Sequence, residues 1–111
     1  MDTRDIRELV HFSDDAPRHD TLFESERLWS EVICIQGAQA IGPVSDAKSD
    51  ALITVLSGEV AVQVSRGRAR MKQWESALVP AGSELTIRNA SPEPTVVLLV
   101  TAPPPAPPGS P

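Results

Sequence analysis

Residues 79–89, VPAGSELTIRN, decide the fold of this chain. Pro80 and Gly82 are turn residues, because proline fixes φ and glycine reaches positive φ, so the chain reverses here. After the turn the sequence alternates, with Leu85 and Ile87 on one face and polar residues on the other. The stretch therefore predicts one strand, a tight turn and a second strand.

The same pattern of strands and turns continues on both sides of this stretch. Short apolar or alternating segments are separated by turns that contain glycine or proline. A hairpin turn is predicted at Arg66-Gly67. The predicted strands are 29–36, 51–57, 59–65, 68–72, 75–79, 85–89 and 95–101. Strands at this spacing, without helical patterns between them, indicate an all-β sandwich or barrel.

Two segments of different character flank the barrel, which we place at residues 29–101. Residues 1–28 are expected to form an N-terminal arm and a polar loop (13–22) that pack on the barrel, with one short helical pattern at 4–10. Residues 102–111, APPPAPPGSP, cannot join a sheet because proline lacks the N–H donor. We expect this proline-rich tail to be disordered, although a proline-recognising domain could bind it.

Charge and composition exclude several classes of partner. Ten basic and fifteen acidic side chains give a net charge of −5, which does not attract nucleic acid or an anionic membrane. The charged N-terminus is not a signal peptide, and no apolar run is long enough to span a bilayer. The single cysteine, Cys34, lies in an apolar run and is interpreted as a small buried residue. We therefore expect a cytoplasmic protein with no nucleic-acid or membrane partner.

Two segments resemble the conserved motifs of the cupin superfamily: LITVLSGEV (52–60) and ESALVPAGSELTIRN (75–89). Pro80, Gly82 and Asn89 stand at the spacings of the second cupin motif. Gly58 closes the first motif, and Gly42 lies where that motif opens. The resemblance implies a double-stranded β-helix, or jelly-roll, cupin barrel. It also implies four metal-ligand positions, which in the family are three histidines and a glutamate.

The four ligand positions carry other chemistry in this chain. On the preferred spacing they are Val44, Asp46, Ala51 and Leu85, and an alternative spacing moves the first two to Ser45 and Ala47. Valine, alanine and leucine have no lone pairs, and one aspartate does not make a specific transition-metal site. We therefore predict no metal and no other cofactor.

An apolar barrel interior is expected in place of the metal site. The residues predicted to line a ligand pocket are Val44, Asp46, Ala51, Ile53, Leu85 and Ile87. Either side chains fill this interior, or a cavity remains with Asp46 as its polar handle. Asp46 is equally well interpreted as a surface loop acid.

Two histidines and an arginine-rich hairpin are weaker candidates for function. His11 and His19 are interpreted as solvated loop residues, although an arm over the barrel mouth could bring one of them inward. The hairpin RGRARMK (66–72) could hold an anion or an acidic partner, whereas a solvated outer strand is the simpler interpretation.

These observations favour a metal-free cupin-like domain that binds a small apolar or organic molecule or has a regulatory role. No catalytic residue is assigned. The alternatives are a metal-independent cupin isomerase or epimerase, which needs an acid and a base in the pocket, and a structural partner-binding subunit. The resemblance and the open sheet edges also predict a homodimer.

Overall fold

Nine strands form two antiparallel sheets in the computed structural model, which describes residues 1–105. The strands are β1 (Arg18–Glu24), β2 (Trp29–Ile35), β3 (Ala40–Val44), β4 (Asp50–Ser57), β5 (Glu59–Val64), β6 (Gly67–Lys72), β7 (Ser76–Val79), β8 (Leu85–Arg88) and β9 (Thr95–Ala102). The five-stranded sheet has the order β1-β2-β9-β4-β7, and the four-stranded sheet has the order β3-β8-β5-β6. The all-β prediction is confirmed.

The core lies between the inner faces of the two sheets. Successive side chains of a strand point to opposite faces, so every second residue enters this layer. The buried cluster from both sheets contains Ile33, Ile35, Ile53, Val55, Val60, Val62, Met71, Val79, Leu85, Ile87 and Val97. The alternation predicted for 59–65 and 85–89 is therefore the one that the structure shows.

The turn between β7 and β8 is hydrogen-bonded to the loop between β3 and β4 at one end of the barrel. Ser83 donates its backbone N–H to the carbonyl of Pro80 over 3.0 Å, and Gly82 has φ +83°. The Gly82 N–H donates to the carbonyl of Asp46 at 2.8 Å, and the Ala81 N–H donates to Asp50 Oδ1 at 2.8 Å. These bonds fix the loop between β3 and β4 against the turn between β7 and β8.

Gly58, between β4 and β5, is required for two reasons. Its φ is +85°, a backbone conformation that L side chains rarely adopt. A Cβ at this position would lie 2.6 Å from Thr95 Oγ1 and 2.8 Å from the carbonyl oxygen of Pro94. Glycine therefore allows β4, β5 and β9 to approach one another closely.

The first strand corrects a prediction. Residues 18–24 form β1, which pairs with β2 from Arg18 opposite Cys34 to Glu24 opposite Trp29. The polar-loop prediction for 13–22 is therefore wrong from residue 18 onward. β1 is an edge strand with one buried residue, Leu22, so its sequence carries little of the apolar signal that identifies a strand.

The N-terminal arm packs on the outer face of the five-stranded sheet. Ile6, Leu9 and Val10 cover a second apolar cluster that includes Val32 and Cys34. The helical pattern at 4–10 is a single 3₁₀ turn, Ile6–Leu9. The Cys34 thiol is fully buried, 3.9 Å from the carbonyl oxygen of Leu9, and burial raises its pKa.

Two smaller differences concern the hairpin and the tail. The turn between β5 and β6 is Ser65-Arg66, one residue earlier than predicted, and Ser65 has φ +51°. β9 extends to Ala102, and the Ser49 hydroxyl donates to the carbonyl of Pro103 at 2.7 Å. Residues 106–111 of the predicted disordered tail lie outside the described residues. The described part of the chain has no helix of the length and apolarity that crossing a membrane requires.

Candidate functional site

A cavity of about 320 Å³ lies between the inner faces of the two sheets. Trp29, Glu31 and Leu99 line it from the five-stranded sheet, and Ile41 and Leu85 line it from the four-stranded sheet. Its volume is at the lower end of the range, about 300–1,000 Å³, that small-molecule pockets occupy. The side chains of the core therefore do not fill the barrel completely.

Five of the six residues predicted for a ligand pocket lie on the wall of this cavity. They are Val44, Asp46, Ala51, Leu85 and Ile87. Ile53, the sixth, does not reach the cavity and is fully buried in the core. It follows Ala51 by two residues on β4, which places it about 6.8 Å further along the strand, where the layer is packed with side chains.

The residues at the four family metal-ligand positions come together, but their chemistry does not fit a metal ion. Val44 and Leu85 are directly paired across β3 and β8, and Asp46 and Ala51 line the same cavity. Of the alternative pair, Ser45 lines the cavity and Ala47 does not. Three of the four preferred side chains are hydrocarbons, and a metal site needs three or four converging donors. Within residues 1–105, no group of three or more His, Cys, Asp or Glu side chains is arranged to hold a metal ion.

Asp46 organises the loop between β3 and β4. Its Oδ1 accepts the backbone N–H groups of Lys48 at 2.8 Å and Ser49 at 3.1 Å, a local turn that aspartate commonly forms. Asp46 is half-buried and also borders the cavity. The two sequence interpretations of Asp46, loop acid and cavity residue, therefore both describe part of its position.

The most polar part of the cavity wall is a pair that the sequence did not identify. Glu31 on β2 is only 6% exposed, and its Oε1 lies 3.1 Å from Nδ1 of His19 on β1. His19 therefore lies on a strand and not in the expected loop, and its partly exposed side chain also lines the cavity. One signal was available, because Glu31 has the same strand parity as Ile33 and so must face inward with it.

The charges around the cavity are predominantly negative. The Glu31 carboxylate accepts a hydrogen bond from His19 and raises the pKa of that imidazole above 6.5, although partial burial acts in the opposite direction. Asp46 is the other carboxylate on the wall. Among the described residues that line the cavity there is no lysine or arginine.

We expect the stability of this chain to depend on pH through His19. A histidine whose folded-state pKa is raised stabilises the fold fully below its unfolded-state pKa, near 6.5, and this contribution is lost as the pH rises through the folded-state pKa. The His19 side chain is 43% exposed, so water screens the pair and its contribution stays below about 1 kcal/mol.

The measurement is chemical denaturation of wild type and His19→Gln from pH 5.5 to 9. The stability difference between the two proteins should shrink as the pH rises. A difference that is the same at every pH would contradict the His19–Glu31 interaction.

Two antiparallel sheets enclose the cavity, and β3 and β8, which carry Val44 and Leu85 of the two motifs, pair with each other. This arrangement defines a double-stranded β-helix protein. The sequence model of the Cupin domain family matches residues 31–101, which is more than half of the chain. The chain therefore belongs to the cupin family, and both the resemblance and the predicted barrel are confirmed.

Solved structures show the same fold. The TT1209 protein of Thermus thermophilus is 30% identical, with a TM-score of 0.89 over 93% of this chain and 98% of that one. A conserved Klebsiella pneumoniae protein with a double-stranded β-helix domain is 24% identical, with a TM-score of 0.85 over 91% of this chain and 89% of that one. An RmlC-like cupin from Desulfovibrio desulfuricans is 21% identical, with a TM-score of 0.81 over 94% and 98%. The comparison with curated proteins gave no match.

Proposed function

We propose that this chain is a metal-free cupin domain that binds a small, largely apolar organic molecule between its sheets. The observation that carries the proposal is the cavity itself. Val44 and Leu85 on the four-stranded sheet and Ala51 on the five-stranded sheet stand where the family has metal ligands, and about 320 Å³ between the two sheets is not filled by side chains. An apolar pocket with a few convergent polar groups is the usual form of a small-molecule site.

The charges of the wall favour a neutral or positively charged ligand. A negatively charged ligand would approach the carboxylates of Glu31 and Asp46, and among the described residues that line the cavity only His19 is able to carry a positive charge. Like charges in a partly dry cavity repel strongly because little water screens them. A hydroxyl or amine of the ligand could instead donate to Glu31, and the ring of Trp29 on the same wall suits a cation.

This proposal is tested by screening neutral, cationic and anionic compounds of matched size against ¹⁵N-labelled protein. We expect Ala51→Phe, which places a large ring in the cavity, to weaken binding of any hit by about tenfold or more, because filling a pocket removes the contacts that a ligand would make. The matched control is Leu52→Phe, at the next residue of β4, whose side chain is 43% exposed on the outer face.

Two results would contradict the proposal. One is a set of hits that Ala51→Phe and Leu52→Phe affect equally, which would place binding outside the cavity. The other is a preference for anionic compounds, which would contradict the inferred class of ligand.

A metal-independent enzyme of the isomerase or epimerase type is the second candidate, and the His19–Glu31 pair favours it. A carboxylate and an imidazole 3.1 Å apart on the cavity wall are the groups that acid–base catalysis uses. Glu31→Gln separates the two candidates once a ligand is known. Loss of turnover with binding retained supports the enzyme, and a ligand that is never converted supports the binding domain.

A free, buried Cys34 supports a cytoplasmic location, because the chain uses no disulfide. The homodimer and the partner-binding role stay predictions. Size-exclusion chromatography with light scattering tests the first, and a pull-down with and without residues 102–111 tests the second.

A further inference from the structure

Three arginines, Arg68, Arg70 and Arg88, lie close together on the outer face of the four-stranded sheet. Ala61 on β5 pairs with Arg70 on β6 and with Arg88 on β8, and both arginines therefore flank it. Two residues further along β5, Gln63 pairs with Arg68 on one side and Thr86 on the other, so it lies on the same face as Ala61. Arg68 and Arg70 on β6 belong to the arginine-rich hairpin (66–72). Arg88 is distant from them in sequence and joins them because β8 pairs with β5.

These side chains form a shallow concave surface that encloses a volume of about 540 Å³. Adjacent strands lie about 4.8 Å apart, so the Cα atoms of Arg70 and Arg88 are separated by about 10 Å. The methyl group of Ala61 leaves the space between their side chains open. The Thr86 hydroxyl faces the same concavity and is able to donate a hydrogen bond.

The positive charge of this surface is only partly neutralised within the described chain. Arg70 Nη1 lies 3.5 Å from Glu59 Oε1, and the Arg70 side chain is 63% exposed. Neither Arg68 nor Arg88 forms an ion pair among residues 1–105. Positive charge is thus concentrated on a rigid sheet face of a chain whose net charge is −5.

We propose that this surface is a binding site for a small phosphate-bearing anion. Guanidinium groups match phosphate oxygens with paired hydrogen bonds, and their position on both sides of Ala61 allows two of them to hold one anion. The site lies on the opposite face of the sheet from the cavity, so it is independent of the proposed function. Nucleic acid fits less well because the net charge of the chain is negative and the described residues that line this concave surface include no tryptophan or phenylalanine.

The test is titration with sodium pyrophosphate at low ionic strength, followed by ¹H–¹⁵N chemical shifts. We expect saturable shifts centred on β5, β6 and β8. Arg68→Gln and Arg88→Gln should each weaken binding by about tenfold, which is the size of effect that loss of one charge-assisted hydrogen bond produces. Both residues are exposed, so the substitutions leave the core unchanged.

The matched control is Arg66→Gln, which removes the same charge from the hairpin turn outside the concave surface. If Arg66→Gln weakened pyrophosphate binding as much as Arg68→Gln and Arg88→Gln, the attraction would depend only on overall charge, and the proposed site would be wrong. Absence of saturable shifts would also overturn it. A 20-nucleotide single strand that bound more tightly than pyrophosphate would contradict the small-anion assignment. Ala51→Phe should leave pyrophosphate binding unchanged, so failure here is distinguishable from failure of the cavity proposal.

Discussion

Val44→His, Ala51→Glu and Leu85→His introduced together are expected to create a transition-metal site in this chain. Residues 44 and 85 are cross-strand partners, and residue 51 lines the same cavity, as does the carboxylate of Asp46. The variant would therefore present two imidazoles and two carboxylates to one space, a donor set that zinc and nickel accept. We expect one equivalent of Zn²⁺ to bind with a Kd of about 1 μM or tighter, or about 8 kcal/mol of binding free energy.

The measurement is calorimetric titration of the variant and wild type with Zn²⁺ and Ni²⁺, together with metal analysis after purification. The control keeps both histidines but moves the carboxylate to the outer face of β4, as Leu52→Glu in place of Ala51→Glu, and it should bind more weakly. Because the metal ion would bind the folded variant and not the unfolded chain, the thermal midpoint of the variant should rise on metal addition.

Two outcomes would contradict our interpretation of the four family metal-ligand positions. If the triple variant bound metal no better than wild type, the four positions would not face one centre. If wild type itself bound one equivalent of metal tightly, the metal-free proposal would be lost, because the side chains present would then be holding an ion that their chemistry does not predict.

Asn89→Ala is expected to lower the free energy of unfolding by about 3–4 kcal/mol, because it removes several hydrogen bonds of a fully buried amide. Asn89 Nδ2 donates to the carbonyls of Ile35 at 2.9 Å and Glu93 at 2.6 Å. Its Oδ1 accepts from the backbone N–H of Ser91 at 3.0 Å and from the Ser91 hydroxyl at 2.9 Å. The side chain thus joins the end of β2 to the turn before β9, and alanine would remove the Asn89 donor from the buried carbonyl of Ile35.

Urea denaturation monitored by circular dichroism measures this effect. Ser91→Ala removes only the hydroxyl part of the network and should cost about 1 kcal/mol, so it serves as the matched control. A loss below about 1 kcal/mol for Asn89→Ala would show that water or a shifted turn replaces the amide, and that the network contributes little to stability.

The strands were predictable where local sequence carries the physical signal. Val60 and Val62 alternate with less buried residues because one face of β5 is buried. Pro80 with Gly82 marks a turn because proline fixes φ and glycine reaches the positive φ that this turn needs. β1 has no comparable pattern. Its stability comes from pairing with β2, an interaction between segments that the sequence of β1 alone does not encode.

The candidate site was predictable only in part for the same reason. Motif spacing placed Val44, Ala51 and Leu85 around one cavity, since spacing along the chain fixes which side chains face inward. Whether the interior is filled depends on the packing of side chains from many segments at once, which no local pattern reports. His19 was missed because its strand was missed, and Arg88 joins the arginine hairpin only through the register of β8 with β5.

The rate at which Cys34 reacts with a thiol reagent reports how often the N-terminal arm detaches from the sheet. Its thiol is sealed beneath Leu9 and is fully buried, so a thiol reagent in solution reaches it only after the arm lifts from the sheet. Since it is the one cysteine of the chain, every labelled molecule records one such opening. The labelling rate therefore measures the free energy of detaching the arm, separately from the free energy of unfolding the barrel.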